Sequence, residues 1–410
     1  MPDVGELTPI WLLVGILAAS VAVALLTRRR ALPSSVVLVL VGLAVALIGP
    51  SLGFPISPPV SPDVLLAIVL PGLVFEAAFR TDLDVLRPSA GWIVLLGIPG
   101  VVVVAGIVAI ILAAAAGLTL AEAFVVGAMV AATDPAAVLA AFRRLPVPAR
   151  LATTVEMESL VNDGTGIALF ALALELLSGG GSAGMASVEF VLIVVGSLAV
   201  GVIAGAGAAR LVRVVDDHLV ELTITIVLAY GTYLVADAFG GSGVIATLAA
   251  AATFGAGARR VLTERARESI DDVWELVAFL LTAGVFLLVG VSITPGALIH
   301  AAGPISIGIV AVVASRAIVV YGLLGGAARL AAARRPEVGM PIGWLHVLFW
   351  AGLRGAVSVA LALSLPADLP NRDLLQGITF GIVLFTLLVQ GTTIPWVVRA
   401  SGAARPTSPG

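Results

Sequence analysis

The chain has 410 residues, 60% hydrophobic and only 11% charged, with a mean hydropathy of +1.16. A soluble chain carries roughly a quarter of its residues charged, so bilayer must be the solvent for most of this one. A net charge of −3 without a polybasic run excludes a nucleic-acid partner, and the lack of cysteine excludes disulfides, zinc thiolates and thiol catalysis. The opening MPDVGELTPI is acidic and has no small-residue cleavage pattern, so no signal peptide is expected. Stretches between apolar runs are short, which leaves a single transmembrane domain over 1–410 and no soluble domain.

A helical span needs about 20 mostly apolar residues. Thirteen segments meet that measure, near 9–27, 32–50, 63–80, 91–117, 119–142, 149–177, 187–213, 218–238, 242–258, 272–293, 297–328, 341–365 and 374–399. None alternates over about ten residues as a barrel strand does. The chain therefore reads as an all-α polytopic membrane protein.

All 22 basic residues are arginine. Nineteen fall in loops on one side: Arg28–Arg30, Arg80, Arg87, Arg143, Arg144, Arg150, Arg210, Arg213, Arg259, Arg260, Arg265, Arg267, Arg329, Arg334, Arg335, Arg399 and Arg405. Arg372 stands alone on the other side, and Arg316 and Arg354 lie inside spans. Positive loops face the cytoplasm, so thirteen spans put the N-terminus outside and the C-terminus inside. An odd count suggests two inverted six-span repeats joined by a linker span. Span 5 then matches span 12, and both are interrupted, by Thr133-Asp134-Pro135 and by Gly352-Leu353-Arg354-Gly355. The two broken helices are expected to cross at the midplane.

Ionisable side chains inside a span are costly and mark function by default. Glu76, Asp134, Glu158, Asp163, Arg316 and Arg354 are such residues. Internal ion pairs could account for some of them, but four acids outnumber two arginines. At 1.5 Å per residue, Asp163 and Arg354 lie about the midpoints of their spans, with Asp134, Glu76 and Glu158 roughly 5–8 Å nearer the cytoplasm.

In Glu158-Ser159-Leu160-Val161-Asn162-Asp163, positions four apart share a face, so Glu158 lies beneath Asn162 and Ser159 beneath Asp163. This stripe offers carboxylate, hydroxyl and amide oxygens, which suit a hard cation. Pro135 removes a helical hydrogen bond and frees main-chain carbonyls, Thr133's among them, to coordinate an ion. Asp134 can balance a positive half-helix end. By mirror symmetry, Arg354 would balance the carbonyl ends of span 12.

ATDPAAV, ESLVNDGTG and GLRGAVSVALALSLP, supported by LPGLVFEAAFRTDL and DDVWELVAFLLTAGVFLLVGVSI, resemble the sodium/proton exchanger family, and Asn162-Asp163 resembles its electroneutral branch. The resemblance covers nearly the whole chain. It implies a transporter rather than an enzyme: a homodimer in the bacterial cell membrane, surrounded by lipid, exchanging Na⁺ (or Li⁺ or K⁺) for H⁺ without a cofactor. Asp163 would carry the exchange. Ser159, Asp134 and the Thr133 carbonyl would share the ion, with Glu76 in direct or water-mediated contact. Asn162 would hold the two broken helices in register, and Glu158 would pair with Arg316 in preference to Arg354. Residues 1–90 and 216–295 would form the scaffold and dimer face, and 91–178 and 296–400 the moving core. Glu275 would match a family position or be a solvated charge. With no long tail, any pH sensing would reside in the spans.

The remaining motifs read more plainly. Glu156 falls on nearly the face of Asp163, about 10 Å nearer the cytoplasm, either solvated or lining an inner vestibule. His218, His300 and His346 have no partners at ligand spacing, and Gly240-Gly241-Ser242-Gly243 lacks the Lys-Ser/Thr of a phosphate loop and reads as a tight turn. Rival readings are a K⁺/H⁺ exchanger on the same fold, a cation channel, and an intramembrane aspartyl protease. Against the protease, Asp134 and Asp163 lack the GxGD context such enzymes show.

Overall fold

Apolar sequence in a bilayer must hydrogen-bond its own backbone, and a helix is how one segment does so alone. A computed structural model describes residues 8–27, 33–49, 62–81, 83–179, 183–258, 261–293, 295–333 and 339–404, and these form helices and turns with no strand. Arg28–Arg30, Arg259, Arg260, Arg334, Arg335 and Arg405, used above for orientation, lie outside the described residues, as does the side chain of His300.

In chain order the helices are α1 (Thr8–Thr27), α2 (Ser34–Ile48), α3 (Pro62–Arg80), α4 (Asp84–Ala115), α5 (Leu120–Met129), α6 (Ala136–Phe142), α7 (Ala149–Leu177) and α8 (Gly184–Val214). There follow α9 (His218–Ala238), α10 (Gly243–Ala258), α11 (Glu264–Ser292), α12 (Pro295–His300), α13 (Ala302–Ala332), α14 (Ile342–Trp350), α15 (Ala356–Leu363) and α16 (Arg372–Ala400). Among the described residues seven helices are long and apolar enough to cross a membrane, namely α4, α7, α8, α9, α11, α13 and α16. Shorter apolar helices include α2, α5 and α10.

One edge that differs from the hydropathy reading is set by a polar cap. The segment expected at 272–293 begins eight residues earlier, because the Thr263 hydroxyl accepts from the Ala266 N–H at 3.2 Å and starts α11 in polar sequence. Spans 5 and 12 are interrupted where expected, α5 giving way to α6 through 130–135 and α14 to α15 through 351–355.

Three helices loosen into a π-helical turn, at Leu96–Gly100, Ile318–Leu324 and Thr386–Gln390. The first contains Pro99, which has no N–H to donate. Such turns recur at functional sites, and all three adjoin the polar core. Gly97 faces Val161 and Asn162, Ile318 follows Arg316, and Thr386 meets Arg354.

Packing relies on small residues. Without a hydrophobic drive between helices in lipid, close backbone approach supplies the contact. A Cβ on Gly42 would run into the Leu287 carbonyl and lie 3.0 Å from Gly290 Cα; one on Gly290 would meet the Val39 carbonyl and lie 2.8 Å from Leu43 N. Gly201 and Gly205 of α8 face the carbonyls of Ala246 and Ala250 of α10 in the same way. Gly290→Val should therefore force α2 and α11 apart, at about 1–3 kcal/mol for overpacking. Thermal melting of the purified protein should fall clearly, and an unchanged midpoint would mean the two helices do not meet there.

Candidate ion site

Two helices broken inside the bundle leave four half-helix ends whose backbone groups lack intrahelical partners. Side chains meet them. Where α5 ends, Arg354 Nη1 donates to the Ala131 and Ala132 carbonyls, each at 3.0 Å. Where α14 ends, Arg316 donates to the Leu348 carbonyl from Nε at 3.2 Å and from Nη2 at 2.8 Å. Each carbonyl end is thus held by a buried guanidinium, the charge a helix C-terminus favours.

Both N-terminal ends share Asp134. Its Oδ1 accepts from the Ala136 N–H at 2.9 Å, opening α6, and its Oδ2 from the Ala356 N–H at 3.4 Å, opening α15. The Asp134 N–H itself donates to the Leu353 carbonyl at 2.8 Å, so the two breaks are bonded directly. Gly355 makes room for this, since a Cβ there would run into the Asp134 side chain.

Arg354 differs from expectation in one respect. It caps the carbonyl end of α5, the opposite broken helix, not that of its own span; Arg316 from α13 takes that place. The reason is geometric, because a side chain leaving one break points into the other where the two chains touch. The backbone of Arg354 is fixed by Thr386, whose hydroxyl accepts from the Arg354 N–H at 3.0 Å.

From α7, Asn162 grips the first break. Its Oδ1 accepts from the Thr133 N–H at 3.0 Å and its Nδ2 donates to Thr133 Oγ1 at 2.6 Å. Thr133 Oγ1 lies 3.1 Å from Ser159 Oγ. Asn162, Thr133 and Ser159 are all nearly fully buried. Both bonds of Asn162 go to α5–α6, so it reaches α14–α15 only through the Asp134–Leu353 contact. One turn below, Glu158 forms a two-pronged pair with Arg316, Oε1 to Nη1 at 2.5 Å and Oε2 to Nη2 at 3.1 Å.

Asp163 is half-buried, and among the described residues its carboxylate has no hydrogen-bond or ion-pair partner. It lies one helical turn above Ser159 and next to Asn162. Among the described residues no three acidic or histidine side chains are gathered as a divalent metal would require.

Glu76 is ion-paired. Its Oε1 binds Arg80 Nη1 at 2.7 Å, and Arg80 Nη2 binds the exposed Glu275 at 2.9 Å, joining α3 to α11. The charges acting on Glu76 are those of Arg80, Arg143 and Glu275, and Glu156 lies within Coulomb range of Glu76, Arg80 and Arg143. Glu76 and Glu156 thus belong to a mixed-charge cluster at the arginine-rich end, with Glu156 two turns of α7 from Asp163. His346 Nδ1 and Tyr321 Oη share a hydrogen bond of 2.8 Å outside this site.

Residues 16–400 match the family model described as sodium/hydrogen exchanger, transmembrane. The chain belongs to the sodium/hydrogen exchanger family. It is 38% identical to the Na(+)/H(+) antiporter ApNhaP of Aphanothece halophytica over 396 residues, covering 94% of this chain and 74% of that protein. It is 35% identical to the Na(+)/H(+) antiporter NhaS2 of Synechocystis, over 96% of this chain and 71% of that protein. The structure of the sodium proton antiporter MjNhaP1 from Methanocaldococcus jannaschii at pH 8 superposes with a TM-score of 0.74 at 20% identity, covering 96% of this chain and 97% of that one. The exchanger fold is therefore shared far beyond the residues that are identical.

Sequence reading missed Thr386 and the tie at the start of α5. There Thr119 and Glu122 form a capping box, and Glu122 Oε1 accepts from Asn371 Nδ2 at 2.8 Å. The TLAE spacing carried that signal. Thr386 had none, since a lone threonine in an apolar helix ordinarily bonds its own preceding turn.

Arg316 serves both a carboxylate and a helix end, so removing it should cost more than removing Glu158. Breaking such a buried pair costs about 3–5 kcal/mol. Arg316→Gln should lower the melting midpoint most and Glu158→Gln less, with partial recovery of the Arg316→Gln loss in the double variant. Strict additivity of the two would show that they do not act as a pair.

Proposed function

We propose that this family member is a secondary antiporter exchanging Na⁺ for H⁺, one for one, at Asp163. The observation that carries this reading is the carboxylate of Asp163, without a hydrogen-bond or ion-pair partner among the described residues, on the helix whose Ser159 and Asn162 meet Thr133 of the first break. The relatives named above as Na(+)/H(+) antiporters support the choice of ions. A buried, unpaired carboxylate is too costly to cross the bilayer empty; it crosses with a cation or with a proton, and that alone couples the two fluxes.

On this reading the chain forms thirteen spans, α5–α6 and α14–α15 each counting as one and α12 joining α13. They are arranged as inverted six-span repeats, with the N-terminus outside and the C-terminus inside. Residues 91–178 and 296–400 move as the core against a scaffold of 1–90 and 216–295, which also forms the dimer face in the cell membrane. Thr133, Ser159, Asp134 and Asp163 hold the ion, with Asn162, Glu158, Arg316 and Arg354 as supports. Glu76, which pairs with Arg80, contacts the ion directly or through water.

Asp163→Asn should abolish Na⁺-driven ΔpH in proteoliposomes while the protein still melts cooperatively. Retained coupled exchange would move the role to Asp134. The same assay with K⁺ and Li⁺ separates the ions, and a K⁺ response without a Na⁺ response would favour the potassium reading.

Competition for one carboxylate also fixes the pH dependence. Below the pH at which Asp163 protonates, apparent Na⁺ affinity should weaken about tenfold per pH unit. A membrane potential does work of about 2.3 kcal/mol per net charge per 100 mV, so a cycle moving none should run equally fast with the voltage clamped by valinomycin or left free. A rate or end point that shifts with voltage would overturn the one-for-one stoichiometry.

A further inference from the structure

The Gly240-Gly241-Ser242-Gly243 turn does more than connect α9 to α10. Gly240 sits at φ +72°, a left-handed conformation that favours glycine, and Gly241 N–H donates to the Ala236 carbonyl at 2.8 Å. The turn folds back into the bundle. Ser242 is buried; its N–H donates to Ser197 Oγ of α8 at 2.7 Å, and its hydroxyl caps α10 by accepting from the Ile245 N–H at 3.3 Å. The same hydroxyl donates to the Gly164 carbonyl at 3.2 Å. Gly164 is the neighbour of Asp163. A Cβ on Gly164 would lie 2.6 Å from Ile245 Cγ1, 3.1 Å from Ile245 N and 3.2 Å from Ser242 Oγ, so α10 rests directly on α7 at the residue after the exchanging carboxylate.

Direction matters here. The other end of α10 lies by α3, where Gly255 faces the Phe79 carbonyl next to Arg80. The Ser242 end is therefore the end away from the arginines. Along the Asp163 face of α7, Ser159 on the arginine side and Gly166 and Phe170 on the far side are buried, while Glu156 and Ile167 are half-buried. At Gly164, the residue after Asp163, α7 is covered by the first turn of α10.

We propose that Ser242, with Ile245, is the far-side gate over Asp163. The Ser242–Gly164 hydrogen bond and the Ile245–Gly164 contact close the ion path away from the arginine-rich end, and they break and re-form in every exchange cycle. Ser242 is thus a positioning residue. It holds the ion-carrying helix in the state closed on the far side and touches no ion itself. The proposal rests on the antiport reading above for the cycle, but not for the identity of the ion.

The chain has no cysteine, so one introduced thiol reports alone. Ile167→Cys lies one turn beyond Asp163 on the same face, on the far side, and is labelled in oriented vesicles by a membrane-impermeant maleimide added from that side. Losing one hydrogen bond from the closed state should raise the labelling rate about fivefold in Ile167→Cys/Ser242→Ala. Ile167→Cys/Gly164→Ala, whose new Cβ pushes against α10, is the second variant and should label faster as well. Faster labelling in either folded variant supports the gate. Lower melting with labelling unchanged in both would overturn it and leave Ser242 a packing residue. Na⁺-driven ΔpH is measured on the parent in parallel. Its absence would sink the antiport reading, whereas the labelling comparison would still decide the gate.

Discussion

A helix interrupted inside the bilayer leaves N–H and C=O groups with neither intrahelical partners nor water. This chain interrupts two helices and brings the interruptions together, so four such ends meet in one place. Three side chains deal with all four. Asp134 serves both positive ends, while Arg354 and Arg316 serve one negative end each. Neither break could survive alone with this sequence, because each depends on a residue lying outside it. Arg354 from one break caps the other, and Asp134 from the second opens a helix in the first. The proposed ion site is built on that mutual dependence.

The charge of the core follows from it. Half-helix ends carry partial charges of about one half, positive at the N-terminus and negative at the C-terminus. Two of each sign cancel, Asp134 offsets Arg354, and Glu158 offsets Arg316. Asp163 alone remains uncompensated. A core that is neutral except for one carboxylate is neutral altogether once that carboxylate holds a monovalent cation or a proton. On the proposed reading both loaded forms therefore meet the bilayer with the same charge. Glu76 lies outside this count, its charge matched by Arg80.

The breaks were legible in the sequence because proline and glycine act through the backbone and leave a local signature. The stripe of α7 was legible because polar residues four apart in apolar sequence share a face. Which arginine faces which helix end was not, since a sequence says where a side chain starts and not which neighbour crosses it. Hence Arg354 was expected on its own span and stands on the other. The Glu76–Arg80 pair was legible too, the two being four residues apart on one helix face. Ser242 sat in a glycine-rich run that local rules explain fully as a turn. Only the fold shows that this turn ends against Gly164, and contacts between distant segments leave no local trace.

The amide at position 162 makes one more physical point. Asn162 both accepts from the Thr133 N–H and donates to the Thr133 hydroxyl. An aspartate could do both only while protonated, so its grip on the break would come and go with pH. The amide holds at any pH. Because Thr133 Oγ1 already accepts from Asn162, its own hydrogen is available to Ser159, 3.1 Å away. The Ser159 hydroxyl is then free to turn its hydrogen towards an empty carboxylate or its lone pairs towards a cation. On the proposed reading, a titratable residue at 162 would couple the shape of the break to the same protons that Asp163 exchanges. With an amide there, the frame stays fixed while the neighbouring side chain alone changes its load.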